Sequence, residues 1–122
     1  MSSQGVSRIL VVEDDFFIAA DLQALLRQLG YTEILIARSL SEGQDLLSST
    51  APDLAILDVN LGSGTSAAVA EELTTRGIPF MLTTGYGEGS SLSETFAEAA
   101  IINKPYEAST VIAAVSQLMR RG

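Results

Sequence analysis

Apolar residues in this chain alternate between short unbroken runs and longer spaced series. Ile9-Leu10-Val11-Val12 is an unbroken run. After it, Ile18, Leu22, Leu25, Leu26 and Leu29 recur at helical spacing and stop at Gly30, a natural residue for the position just past a helix. Ile34 to Ala37 is a second β-like run. Ser39 and, three residues on, Glu42 make a capping box that opens a second helix, which ends before Ala51-Pro52. Leu54 to Asp58 predicts a third strand, Gly62-Ser63-Gly64 a loop, and Thr65 to Arg76 a helix closed by Gly77. Ile78 to Thr83 reads as a fourth strand, with Pro79 near its start where a missing N–H costs least. Ile101-Ile102-Asn103 predicts a fifth strand, and Val111, Ile112, Val115, Leu118 and Met119 stripe a last helix. Between these, Ser91 to Ala99 predicts a weak, short fourth helix with a second capping box, Ser91 and Glu94.

Five strands alternating with helices imply an α/β architecture. Parallel strands joined by right-handed crossovers form one doubly wound sheet, covered on both faces. A length of 122 residues predicts one domain.

Composition removes several chemistries. The absence of Cys and His excludes thiolate and imidazole metal ligands, nucleophile–His pairs and phosphohistidine formation on this chain. Seven basic against fifteen acidic residues, a formal charge of −8, argue against nucleic acid as a partner. No apolar stretch reaches the roughly 18 residues of a membrane span, and Met1-Ser2-Ser3-Gln4-Gly5 lacks the start of a secretory signal, so a cytosolic setting is expected.

The remaining chemistry lies at the strand ends. In a parallel sheet the ligand crevice lies outside the carboxyl ends of the strands. There the sequence places Glu13 and Asp14 after the first strand, Asp58 at the end of the third, Thr83 and Thr84 after the fourth and Lys104 after the fifth. Three carboxylates drawn together would repel by about 4 kcal/mol per pair at roughly 4 Å and an effective dielectric near 20. A hard divalent cation such as Mg²⁺ resolves that repulsion with oxygen ligands alone. Asp15 is set apart, because it stands where it would cap the first helix.

In this order, Glu13-Asp14, Asp58, Thr84-Gly85 and Lys104-Pro105 resemble the motif of a response-regulator receiver domain, over essentially the whole chain. The resemblance implies a flavodoxin-like (βα)₅ fold in which residues 1–122 form one receiver domain with no output domain. It implies Asp58 as phosphoacceptor from a histidine kinase or phosphotransfer protein. Mg²⁺, or Mn²⁺, would be held directly by Asp14 and Asp58, through water by Glu13, and by the backbone carbonyl of Asn60. Thr84 would donate its hydroxyl to the phosphoryl group, with Thr83 as fallback, and Lys104 would pair with the carboxylate and then the phosphate. The downstream partner would dock on the fourth helix, fifth strand and last helix. Ile101 stands where many receivers carry a switching aromatic residue. The stretch Pro79-Phe80-Met81-Leu82-Thr83-Thr84-Gly85-Tyr86-Gly87 is similar to a subgroup with a Phe-Ala-Thr-Gly-Tyr-like signature, which is often paired with kinases of the HWE or a related type. Because the run Gly85-Tyr86-Gly87-Glu88-Gly89 can absorb a large backbone change cheaply, the Tyr86 to Ala99 segment is expected to be mobile without phosphate and partly ordered with it.

Two other readings use the same fold. A Mg²⁺-dependent phosphohydrolase with Asp58 as nucleophile needs an Asp two residues later, where this chain has Asn60, and it also needs room for a cap domain. A flavin or nucleotide binder needs a phosphate-cradling loop after the first strand, and Glu13-Asp14-Asp15 would repel phosphate there. The chain is therefore expected to be a signalling phosphoacceptor rather than an enzyme acting on other substrates.

Overall fold

The computed structural model describes residues 8–58, 67–84, 100–103 and 107–121. Along the chain these form β1 (Arg8–Val12), α1 (Phe16–Gln28), β2 (Glu33–Ala37), α2 (Leu40–Ser49), β3 (Leu54–Asp58), α3 (Ala67–Arg76), β4 (Phe80–Thr84), β5 (Ala100–Asn103) and α4 (Ala108–Arg121). The strands make one parallel sheet in the order β2-β1-β3-β4-β5. The helix expected over Ser91 to Ala99 lies outside the described residues, as do Asn60, Lys104 and the Gly85 to Gly89 stretch.

Alternation along the strands sorts the core into two layers. Leu10, Val12, Ala55, Leu57 and Leu82 face one side, where Leu47 of α2 and Val69, Ala70 and Leu73 of α3 cover them. Ile9, Val11, Leu54, Ile56 and Met81 face the other, under Leu22 and Leu26 of α1 and Val111, Val115 and Leu118 of α4. Both faces of β3 are therefore buried, which is why its sequence is a continuous apolar run rather than an alternating one. On the first side α2 approaches closely. A Cβ placed on Gly43 would meet Val12 Cγ2 at 3.3 Å, so the missing side chain sets that spacing.

The helix ends follow the sequence signals. Asp15 caps α1, its carboxylate accepting from the N–H groups of Phe17 and Ile18 at 2.9 and 3.1 Å. The Ser39 hydroxyl accepts from Glu42 N–H at 3.1 Å, while the Glu42 carboxylate reaches back to Arg38 N–H at 2.7 Å, one residue earlier than an ideal capping box. Gly30 and Gly77 both have positive φ, at 105° and 73°. Each closes a helix through paired bonds: Gly30 N–H to Arg27 O with Tyr31 N–H to Leu26 O, and Gly77 N–H to Thr74 O with Ile78 N–H to Leu73 O. This closure takes Ile78 out of the strand predicted from it. β4 begins at Phe80, where the register with Ala55 starts, and runs on to Thr84.

At the edge away from the acidic loops, Arg8 and Glu33 pair through two bonds of 3.1 Å, and Asp53 accepts from Arg8 N–H at 2.8 Å. The hydrogen bond and charge of Glu33, then Asp53, raise the Arg8 pKa above its ordinary value, so its charge is permanent.

Candidate functional site

Strand register builds the site. β1 and β3 run side by side with Val12 opposite Leu57, so the next residue of each, Glu13 and Asp58, comes level at the carboxyl edge of the sheet. Period-two alternation carries both to the side of Ile9, Val11 and Ile56, under α1. Glu13 still follows the sheet, its N–H donating to Ala37 O of β2 at 2.9 Å. Its carboxylate accepts from Asp15 N–H at 3.1 Å, and this bond turns the chain sharply into α1.

Glu13 and Asp58 are buried, at 1% and 3% exposure, while Asp14 is exposed. One carboxylate oxygen from each of Glu13, Asp14 and Asp58 lies within 4.8 Å of the others. Oxygens this close could share one hard divalent cation, some as direct ligands and some through a bound water. The donor set is all-oxygen and anionic, which suits Mg²⁺ or Mn²⁺. Asp15, close in sequence, is committed to its helix cap and is not part of the cluster.

Thr83 lies opposite Asp58 in the ladder and is buried, with its hydroxyl donating to Leu57 O at 3.4 Å. Thr84 is one residue further toward the carboxyl edge and pairs with Asn103 of β5. Ile101 lies in β5 opposite Leu82. The positions of Asn60 and Lys104 are outside the described residues.

Comparison with known proteins gives the architecture a family. Residues 9–116 match the response regulator receiver domain. The chain belongs to that family. Among relatives, it is 34% identical over 122 residues to the phyllosphere-induced regulator PhyR of Methylorubrum extorquens, covering 98% of this chain and 46% of that protein. It is 30% identical over 118 residues to the transcriptional regulatory protein PdtaR of Mycobacterium tuberculosis, covering 93% of this chain and 57% of that protein. The chain thus spans about half the length of these relatives. A crystal structure of a response regulator from Chloroflexus aurantiacus superposes with a TM-score of 0.82 at 26% identity, covering 95% of this chain and 99% of that one. Receiver domains are phosphorelay components, and an aspartate with a nearby Mg²⁺ site is their general property.

Three residues beside the receiver pocket drew no attention in the sequence. Phe16 and Phe17 open α1 directly after the acidic loop and are 59% and 77% exposed, with their rings edge to face at 5.6 Å. Arg38, the residue after β2, has its guanidinium carbon over the Phe16 ring, 5.6 Å from the centroid, and donates from Nη2 to Asp14 O at 3.4 Å. The signal for the phenylalanines was adjacency: neighbours on a helix diverge by about 100°, so a pair following a cap at Asp15 cannot both join the stripe begun by Ile18. Arg38 gave no signal beyond its position at a strand end.

Proposed function

We propose that Asp58 is the phosphoacceptor of this receiver domain and that Glu13 and Asp14 form its metal site with it. The observation that carries this reading is the convergence of the three carboxylates at the end of the buried strand β3. In the transfer, a carboxylate oxygen of Asp58 attacks phosphorus while the P–N bond of the donor's phosphohistidine breaks, its electron pair returning to the imidazole nitrogen. No proton leaves Asp58. A bound Mg²⁺ would supply positive charge to offset that of the carboxylates and the incoming phosphoryl oxygens.

Asp14 would hold the ion directly and Glu13 through water, and the carbonyl of Asn60 would complete the protein's share. Thr84, one step beyond the Asp58–Thr83 pair, donates its hydroxyl to the phosphoryl group. The tie of Thr83 to Leu57 O supports choosing Thr84. Lys104 pairs with Asp58 before transfer and with a phosphoryl oxygen afterwards. The donor is a histidine kinase, of the HWE type on the subgroup resemblance, or a phosphotransfer protein. The downstream partner docks on the segment between β4 and β5, on β5 and on α4. Residues 1–122 act as one receiver unit in the cytosol, with no substrate other than their own aspartate. Among the described residues, no helix is long and apolar enough to cross a membrane.

Incubation with a small phosphodonor and Mg²⁺, followed by intact mass measurement, tests the assignment. One base-labile phosphoryl adduct is expected on the natural chain and none on Asp58→Asn. Equal labelling of the variant, or labelling that persists in excess chelator, rejects it.

A further inference from the structure

The cations among the described residues are sorted by the topology. Helices between parallel strands run back across the sheet, so helix C-termini lie at the edge opposite the pocket. Arg27 is in the last turn of α1, Arg76 ends α3, Arg121 ends α4 with Arg120 before it, and Arg8 begins β1. All five belong to that far edge. Among the described residues, Arg38 is the one cation at the carboxyl edge, because it follows the last residue of β2. It sits beside the loop that carries the proposed metal ligands.

Arg38 is also held in place. Its backbone N–H donates to the Glu42 carboxylate at 2.7 Å, its guanidinium lies 5.6 Å from the Phe16 ring centroid, and Nη2 reaches Asp14 O at 3.4 Å. Its long contact is to a carbonyl, not to the carboxylate of Asp14. The guanidinium lies over the Phe16 ring, and among the described residues its side-chain donors make no hydrogen bond besides the long contact of Nη2 to Asp14 O. They can therefore meet an anion, being groups that recognise phosphate oxygens in pairs. A dianion approaching a surface of net charge −8 is repelled until it meets a local positive charge.

We propose that Arg38 is a donor-binding residue that captures the phosphoryl group of the incoming phosphodonor at the rim of the pocket, before Asp58 attacks. The inference rests on the reading of Asp58 as phosphoacceptor. It goes further in naming the group that recruits the phosphoryl dianion, whether that dianion comes from an acyl phosphate or from an N-phosphoryl group. With acetyl phosphate, the Asp58 oxygen attacks phosphorus and the P–O bond to the acyl oxygen breaks, so acetate leaves with the electron pair.

The test compares Arg38→Gln and Arg38→Lys with the natural chain in three measurements: labelling rate against acetyl phosphate concentration, labelling rate against phosphoramidate concentration, and Mg²⁺ affinity by calorimetry without donor. Acetyl phosphate is a dianion near neutral pH, whereas phosphoramidate carries one net negative charge less and models the P–N donor. In the Gln variant the acetyl phosphate concentration for half-maximal rate should rise on the order of fivefold, with a smaller rise for phosphoramidate. The maximal rate should hold within about twofold, because the attacking and leaving atoms are untouched. Mg²⁺ affinity should be unchanged or higher, since a nearby positive charge has been removed. Lys should restore most of the loss, and added salt should weaken capture by the natural chain more than by the Gln variant.

Unchanged half-saturation in the Gln variant overturns the proposal, as does a Lys variant no better than Gln. A joint fall in Mg²⁺ affinity and labelling rate also overturns it, because Arg38 would then only brace the acidic loop. A natural chain labelled no faster than Asp58→Asn overturns the phosphoacceptor reading and this inference with it.

Discussion

Replacing Asp14 with Asn should make the metal-free protein more stable and the metal-loaded protein less so. The Asp14 carboxylate has an oxygen within 4.8 Å of one on Glu13 and one on Asp58. At that distance a pair of unit charges repels by about 3.5 kcal/mol at an effective dielectric near 20, and by about 0.9 kcal/mol in bulk water. Glu13 and Asp58 are buried but Asp14 is exposed, so the water-like limit is the better guide, and its two pairs together suggest a gain of about 1–2 kcal/mol. For a domain of this size that is a rise in Tm of about 4–8 °C. The Asn side chain keeps the volume of Asp, and the Asp14 backbone carbonyl that accepts from Arg38 is retained. With Mg²⁺ at roughly 100 times its Kd, the natural chain should gain about 2.7 kcal/mol and the variant much less, reversing the order. Thermal or urea unfolding in chelator and in saturating Mg²⁺ measures all four states. An Asn variant no more stable than the natural chain in chelator, or one stabilised equally by Mg²⁺, would refute the electrostatic account of the pocket.

Asp15→Ala should remove the cap of α1 and lower stability by about 1 kcal/mol while leaving Mg²⁺ affinity unchanged; a loss of affinity as large as that of the Asp14 variant would make Asp15 a ligand. Gly43→Val should cost about 2–3 kcal/mol in urea unfolding, because its branched side chain must enter the 3.3 Å approach to Val12; a loss below about 0.5 kcal/mol would show that α2 can move away without penalty.

Much of this architecture is legible in the sequence because each signal has a local cause. Leu54 to Asp58 reads as a strand because burial on both faces requires five consecutive residues of suitable kind, and the structure buries all five. Gly30 and Gly77 are readable as helix ends because positive φ favours glycine there. Asp15 is readable as a cap from its position alone. The start of β4 was not readable. Ile78 is as apolar as a strand residue, but its N–H closes α3, and only the pairing of Ala55 with Phe80 decides where the ladder begins. At the site, the order of acidic residues along the chain anticipated the meeting of Glu13, Asp14 and Asp58, since parallel register brings strand ends together. Arg38 could not be anticipated in the same way. Its relevance depends on which edge of the sheet each of the other cations occupies, a property of the assembled topology.

The order β2-β1-β3-β4-β5 has a mechanical consequence. β1 and β3, whose ends carry the acidic groups, each have hydrogen-bonded neighbours on both sides, whereas β5 has one. Shifting the backbone at Asp58 would strain two ladders and both core layers at once; shifting β5 would strain one ladder. The proposed acceptor is thus mounted on a strand held by two ladders, whereas β2 and β5 at the two margins of the sheet are each held by one. On the proposed role of Asp58, a displacement forced at the end of β3 meets more resistance than one at either margin of the sheet.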